Sequence, residues 1–116
     1  MISKTQRIST SQIAWLMRKG ARLSNEFFSV KFHLNKRANN RYSVVVSKKL
    51  LKLATDRNNL RRQLYEILRT LSGPTQPTDI MISLKPAILP LTFAQKQTQI
   101  ASLLQQISSK LNTNNG

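Results

Sequence analysis

Apolar residues recur along this chain at spacings that change from segment to segment, and each change marks a new element. Ile13, Leu16 and Met17 repeat at helical intervals, with Trp15 on another face. Ser9 and Gln12 stand ahead of them at capping-box spacing, and Gly20 supplies a stop. The pattern predicts a helix over Thr10–Lys19. Ala21–Ser24 is a candidate for a short extra strand. From Phe27 to Leu34 the pattern alternates: Phe28, Val30, Phe32 and Leu34 fall on one face, and Ser29, Lys31 and His33 on the other. This is a strand with one wet face. Asn35–Asn40 is a polar turn, and Tyr42–Ser47 (YSVVVS) is β-rich enough for a central strand. The two strands read as an antiparallel hairpin.

The clearest element follows. Leu60, Leu64, Ile67, Leu68 and Leu71 form one helical stripe, ended by Ser72-Gly73-Pro74. At about 100° per residue, Arg57, Asn58, Arg61, Arg62, Tyr65 and Arg69 spread over the adjoining flank. Asp79–Leu84 (DIMISL) reads as a buried strand, and Pro86 and Pro90 bracket a loop. Thr92 and Gln95 make a second capping box, opening a helix that carries Ile100, Leu103, Leu104, Ile107 and Leu111. The order implies one α+β domain over residues 1–111, built as a two-layer sandwich, with a fraying tail at 112–116.

Charge changes the picture. Nineteen Lys and Arg face four acidic residues, for a formal net charge of +15. Self-repulsion at that level disfavours a compact state, so a polyanion is the economical partner, nucleic acid ahead of a membrane surface. Sixteen of the nineteen basic residues lie between Lys4 and Arg69, which assigns binding to the first two-thirds and scaffold to the rest. No apolar run approaches the roughly 20 residues of a membrane span. Met1-Ile2-Ser3-Lys4 lacks the apolar stretch of a secretory signal, and cysteine is absent, so a cytoplasmic setting is expected.

Catalytic chemistry is hard to assemble from these residues. His33, the single histidine, reads as an exposed strand residue, and no metal site is expected. Glu26, Asp56, Glu66 and Asp79 are scattered, whereas a two-metal nuclease needs clustered carboxylates. Asp56 suits a helix start, and Glu66 lies among arginines as an intrahelical ion-pair partner. None of the three glycines belongs to a phosphate loop. What remains is Lys48, Lys49 and Lys52 followed by Arg57, Asn58, Arg61, Arg62 and Arg69: planar guanidinium forks and an amide on a rigid helix, suited to phosphate oxygens. Trp15, Phe28, Phe32 and Tyr65 are the aromatics that could stack on unpaired bases; Phe28 and Phe32 share the apolar strand face, and Tyr65 projects from the basic flank.

The stretch Tyr42–Arg69 resembles the signature of the bacterial ribonuclease P protein component: a strand ending in Ser-Lys-Lys, a linker with a small Ala, then an Arg-Asn-x-x-Lys/Arg-Arg helix and a later Arg. Ser47, Lys48, Lys49, Ala54, Arg57, Asn58, Arg61, Arg62, Glu66 and Arg69 match it. Arg7-Ile8, Phe28 and Asp79–Lys85 with Pro86 agree in the flanks, so the likeness covers about residues 7–108. The chain departs from the pattern at Asn59 and Tyr65, where the family often has Arg, and it lacks a glycine within Leu50–Leu53.

The resemblance implies an αβββαβα sandwich shared with a ribosomal-protein domain, including a left-handed β-α-β crossover. It implies a subunit that assists removal of the 5′ leader from precursor tRNA. Catalysis would lie in the partner RNA, where Mg2+ is expected, with no cofactor on the protein and no obligate protein partner. Lys48, Lys49, Lys52, Arg57, Asn58, Arg61, Arg62, Tyr65 and Arg69 would bind the catalytic RNA. The leader would lie in a cleft between the sheet and the first helix, with Ile13 and Met17 at the positions of the family's phenylalanines and Ser29, Lys31 and Tyr42 on the wet strand face. Two alternatives stand beside this: a structural RNA binder such as a ribosomal protein or RNA chaperone, and a DNA-binding regulator reading the major groove with the central helix.

Overall fold

The computed structural model describes Ile8 and residues 10–114; Arg7 and Ser9 of the sequence reading, and residues 115–116 of the tail, lie outside the described residues. The order is α1 (Thr10–Lys19), β1 (Ala21–Ser24), β2 (Phe28–Leu34), β3 (Arg41–Val45), α2 (Ala54–Thr70), β4 (Thr78–Leu84), a 3₁₀ turn at Pro86–Ile88, and α3 (Phe93–Asn114). The four strands form one mixed sheet in the order β1-β2-β4-β3.

The expected β2–β3 hairpin does not form: β4 lies between the two strands, antiparallel to β2 over seven residues and parallel to β3. The reason is burial. All residues of β4 but Ser83 are buried, and a strand covered on both faces belongs in the middle of a sheet. Sequence neighbours usually pair, which is why the hairpin was the natural expectation. The true hairpin is β1–β2, turned by Asn25, whose Oδ1 accepts the N–H groups of Phe27 (2.8 Å) and Phe28 (2.9 Å).

Alternation sorts the sheet into two faces. Phe28, Val30 and Phe32, Tyr42, Val44 and Val46, and Ile80, Ile82 and Leu84 point to one side, where Leu60, Leu64, Ile67 and Leu68 of α2 and Ile100, Leu103, Leu104 and Ile107 of α3 complete the main core. α3 opens with the predicted reciprocal cap: Gln95 N–H donates to Thr92 Oγ1 (3.1 Å), and Thr92 N–H to Gln95 Oε1 (2.9 Å). Lys96 lies buried between α2 and α3 and donates to Gln63 Oε1 at 2.7 Å; burial pushes its ammonium below the ordinary lysine range. Tyr42 belongs to this core at 4 % exposure, and burial raises its hydroxyl. Its place on a wet face is therefore corrected: the residue parity of β3 carries Ser43 and Val45, not Tyr42, to the opposite side.

That opposite side carries α1. Leu16 is buried with Ile8 and Met81 in a second small cluster, flanked by Ile13. Beneath the helix, His33, Asp79 and Arg41 align across three strands. Arg41 donates through Nε to Asp79 Oδ1 (2.7 Å) and through Nη2 to Oδ2 (2.6 Å), and Asn35 Nδ2 adds a third bond to Oδ1 (2.9 Å). This pair, both partners under a tenth exposed, fixes the register of the parallel β3–β4 contact.

Two stability outcomes are expected. Asp79→Ala strands the buried guanidinium and costs about 3–5 kcal/mol in denaturant unfolding, whereas an apolar replacement of both partners costs far less. At Gly20 an added Cβ would stand 2.6 Å from the Leu16 carbonyl oxygen and 3.3 Å from that of Phe32. Gly20→Ala therefore costs about 1–3 kcal/mol, read as a lowered Tm.

Candidate nucleic-acid interface

The basic segment begins in a tight turn. Ser47 O accepts the N–H groups of Leu50 (3.1 Å) and Leu51 (3.2 Å), and Ser47 Oγ accepts Leu50 N–H as well (3.2 Å). Leu50 and Leu51 tuck against the main core, so Lys48 and Lys49 are left projecting outward. Arg57 closes the turn from the first turn of α2: its Nη1 donates to the carbonyl oxygens of Leu51 (2.9 Å) and Lys52 (2.8 Å). The side chain expected to reach for phosphate thus clamps the loop that presents Lys48, Lys49 and Lys52. Helical phase explains this, since Arg57 lies one turn ahead of Leu60 and near the buried stripe.

The outward stripe of α2 is narrower than the sequence suggested. Asn58, Arg62 and Arg69 fall within about 40° of one another, opposite Leu60, Leu64 and Ile67, and all three are exposed. Arg61 sits closer to the core flank, half-buried, with Nη2 donating to Asn58 Oδ1. Arg69 pairs with Glu66 one turn back; that hydrogen bond holds the Glu66 carboxyl below the usual range, as the sequence reading anticipated for an intrahelical partner. Along the axis, Asn58 to Arg69 spans about 16 Å of rigid helix.

Tyr65 is corrected. It leaves α2 on the basic flank, within about 40° of Asn58 and Arg69, but its ring turns back onto the main core and its hydroxyl accepts Val44 N–H at 3.0 Å. β3 is an edge strand, and Tyr65 covers one of its outward amides while fastening α2 to the sheet.

A second surface lies beside α1. Two cross-strand rows, Lys31–Met81–Ser43 and Ser29–Ser83–Val45, form its floor, and the flank of α1 that carries Ile13 and Met17 forms its wall. Met17 is 57 % exposed and Val45 38 %, so the wall and floor are apolar as well as hydroxylated. Lys85 Nζ, bonded to Ser24 Oγ (2.8 Å) and Asn25 O (2.7 Å), ties the floor's far end to the β1–β2 turn. Ser29 and Lys31 share this floor with Met81, against whose cluster Ile13 packs, whereas Tyr42 is buried on the other face of the sheet.

The opposite flank of α1 borders a separate notch of about 330 Å³, lined by Gln12, Trp15, His33, Asn35, Arg41 and Asp79 among others. Trp15 meets His33 edge-on with ring centroids 4.7 Å apart. Sequence reasoning gave Arg41 and Asp79 no role in any site. Their juxtaposition follows from a parallel strand pairing that no local pattern announces. Among the described residues no group of three or more His, Asp or Glu gathers to hold a metal, and no helix is long and apolar enough to cross a membrane.

Known proteins agree with this architecture. The model of the ribonuclease P family matches residues 2–108. The ribonuclease P protein component of Mycoplasma pneumoniae is 33% identical over 94 residues, which cover 81% of this chain and 80% of that protein. Its counterpart from Mycoplasma genitalium is 28% identical over 92 residues, 79% of this chain and 72% of that protein. Among solved structures, the RNase P protein of Thermotoga maritima superposes with a TM-score of 0.77 at 26% identity, covering 86% of this chain and 96% of that one. That of Staphylococcus aureus gives 0.75 at 25%, covering 90% and 96%. With the Ser-Lys-Lys turn, the arginine helix and the mixed sheet all in place, this chain belongs to the ribonuclease P protein family.

Proposed function

We propose that this chain works in ribonuclease P as an RNA-binding subunit without catalytic groups of its own. The lysine turn and the outer stripe of α2 hold the catalytic RNA, and the floor beside α1 receives the single-stranded 5′ leader of precursor tRNA. One observation carries the reading: Lys48, Lys49, Lys52, Asn58, Arg62 and Arg69 are all exposed on a turn and helix held rigid by Arg57 and the α2 stripe. A backbone already fixed spares the ordering of the turn and helix on meeting phosphate, so these cations set register as well as supplying affinity. Four dispersed acids offer no metal cradle, which supports leaving Mg2+ and bond cleavage to the RNA partner. The subunit contributes by screening phosphate repulsion between two RNAs and by holding the leader extended. Hydroxyls of Ser29, Ser43 and Ser83 can donate to backbone oxygens, Lys31 can pair with a phosphate, and Met17 and Val45 give bases an apolar surface.

Purified protein added to its ribonuclease P RNA at low magnesium is expected to stimulate precursor-tRNA cleavage; no stimulation removes this function. Co-purification with ribosomal subunits instead would favour a structural RNA binder. Binding that involves about six phosphates gives a slope of log affinity on log salt on the order of −4 to −5. Lys48→Ala, Lys49→Ala and Arg62→Ala together flatten that slope by roughly 2–3. Arg57→Ala acts differently: backbone amides of residues 48–52 exchange faster in the free protein, and RNA affinity falls because the lysines lose their frame.

A further inference from the structure

The notch on the far flank of α1 shares no residue with the lysine turn, the α2 stripe or the serine floor. Trp15 is 41 % exposed and, with His33 meeting it at a steep angle, lines one side of the notch. The floor is the Arg41–Asp79 pair, buried and neutral as a unit, with the Asn35 amide locked against it. Its volume of about 330 Å³ is at the small end of ligand pockets, roughly 300–1,000 Å³, and accepts a single heterocycle.

Charge is supplied at the rim. Lys36 and Arg37 follow Asn35 directly, and both are exposed. Asn35 Oδ1 accepts Arg37 N–H at 2.7 Å, Asn35 Nδ2 donates to Asn39 O at 3.0 Å, and Lys36 takes a left-handed φ of 57°. A lysine in that conformation is held there by its surroundings. The two cations thus follow directly on Asn35, which lines the notch, in a turn held by the Asn35 side chain.

A flat ring bearing an anion one sugar away fits this combination. We propose that the notch binds one nucleotide of an RNA strand, the base stacked on Trp15 beside the His33 ring and the phosphate against Lys36 and Arg37. The inference rests on the RNA-binding reading above and adds a site to it, because α1 and its buried Leu16 separate the notch from the floor of Ser29 and Lys31. An RNA that crossed α1 would touch both flanks of the helix, and Trp15 would be its anchor on the far side.

Trp15 is the only tryptophan, so its emission reports on the notch alone. The full chain is titrated with a single-stranded oligoribonucleotide while anisotropy of a labelled copy records total binding. Quenching that saturates with binding is expected, and an oligomer of the same length lacking its bases should bind without quenching. Trp15→Ala should weaken oligoribonucleotide binding about tenfold, with Trp15→Phe retaining most of it. The exposed-loop variant Lys36→Ala/Arg37→Ala, which leaves the core untouched, should reduce quenching at a given occupancy. Binding by anisotropy with unchanged tryptophan emission overturns the notch and leaves the α2 interface standing; no binding at all overturns both. Quenching by free AMP or UMP but not by the oligomer also overturns it, assigning the site to mononucleotides.

Discussion

Everything in this molecule depends on β4 being buried on both faces. An apolar strand of that kind cannot sit at an edge, so it enters between β2 and β3 and pairs antiparallel with one and parallel with the other. The parallel pairing makes α2 the crossover between β3 and β4. It lays that helix on the main core with its Leu60–Leu68 stripe inward, which leaves Asn58, Arg62 and Arg69 facing out. The same pairing brings Arg41 over Asp79, thirty-eight positions away in sequence, and so builds the floor beneath α1.

Charge is handled by division of labour among cations that look alike in a list. Arg41 is consumed by Asp79, Arg57 by two loop carbonyls, Lys85 by the β1–β2 turn and Lys96 by Gln63. Each of these spends its donors inside the protein and holds an element in register. Lys48, Lys49, Lys52 and Arg62 stand outside, as do Arg18, Lys19, Arg22, Lys36 and Arg37, and these exposed cations carry most of the unbalanced charge. A chain of net charge +15 is compact because its repelling groups are spread over the surface while a few buried ones are paired or bonded. An RNA partner would relieve the remaining repulsion, which ties binding to stability in one electrostatic balance.

α1 divides the polar side of the sheet. Its buried Leu16 seats the helix on Met81, so one flank looks over the serine rows and the other over the His33–Asp79–Arg41 row. Single-stranded RNA needs stacking surfaces as well as phosphate contacts, and the two flanks offer different ones: flexible Met17 and Val45 on one side, Trp15 on the other.

Local signals were legible from sequence wherever one element decides its own form. The bounds of α1, the β2 alternation, the Thr92–Gln95 cap, the short β1 and the Glu66–Arg69 pair all follow from spacing within a few residues. The motif from Ser47 to Arg69 marked an exposed basic turn and helix for the same reason, since a helix projects its side chains at fixed angles. What spacing could not supply was which strand lies beside which. Antiparallel neighbours and a long crossover leave the same alternation in the chain, and only the competition for the buried centre of the sheet chooses between them. Hence Tyr42 and Tyr65 turned inward, Arg57 became a clamp, and Arg41 met Asp79: each is a contact between segments far apart in sequence, decided by packing and invisible to periodicity.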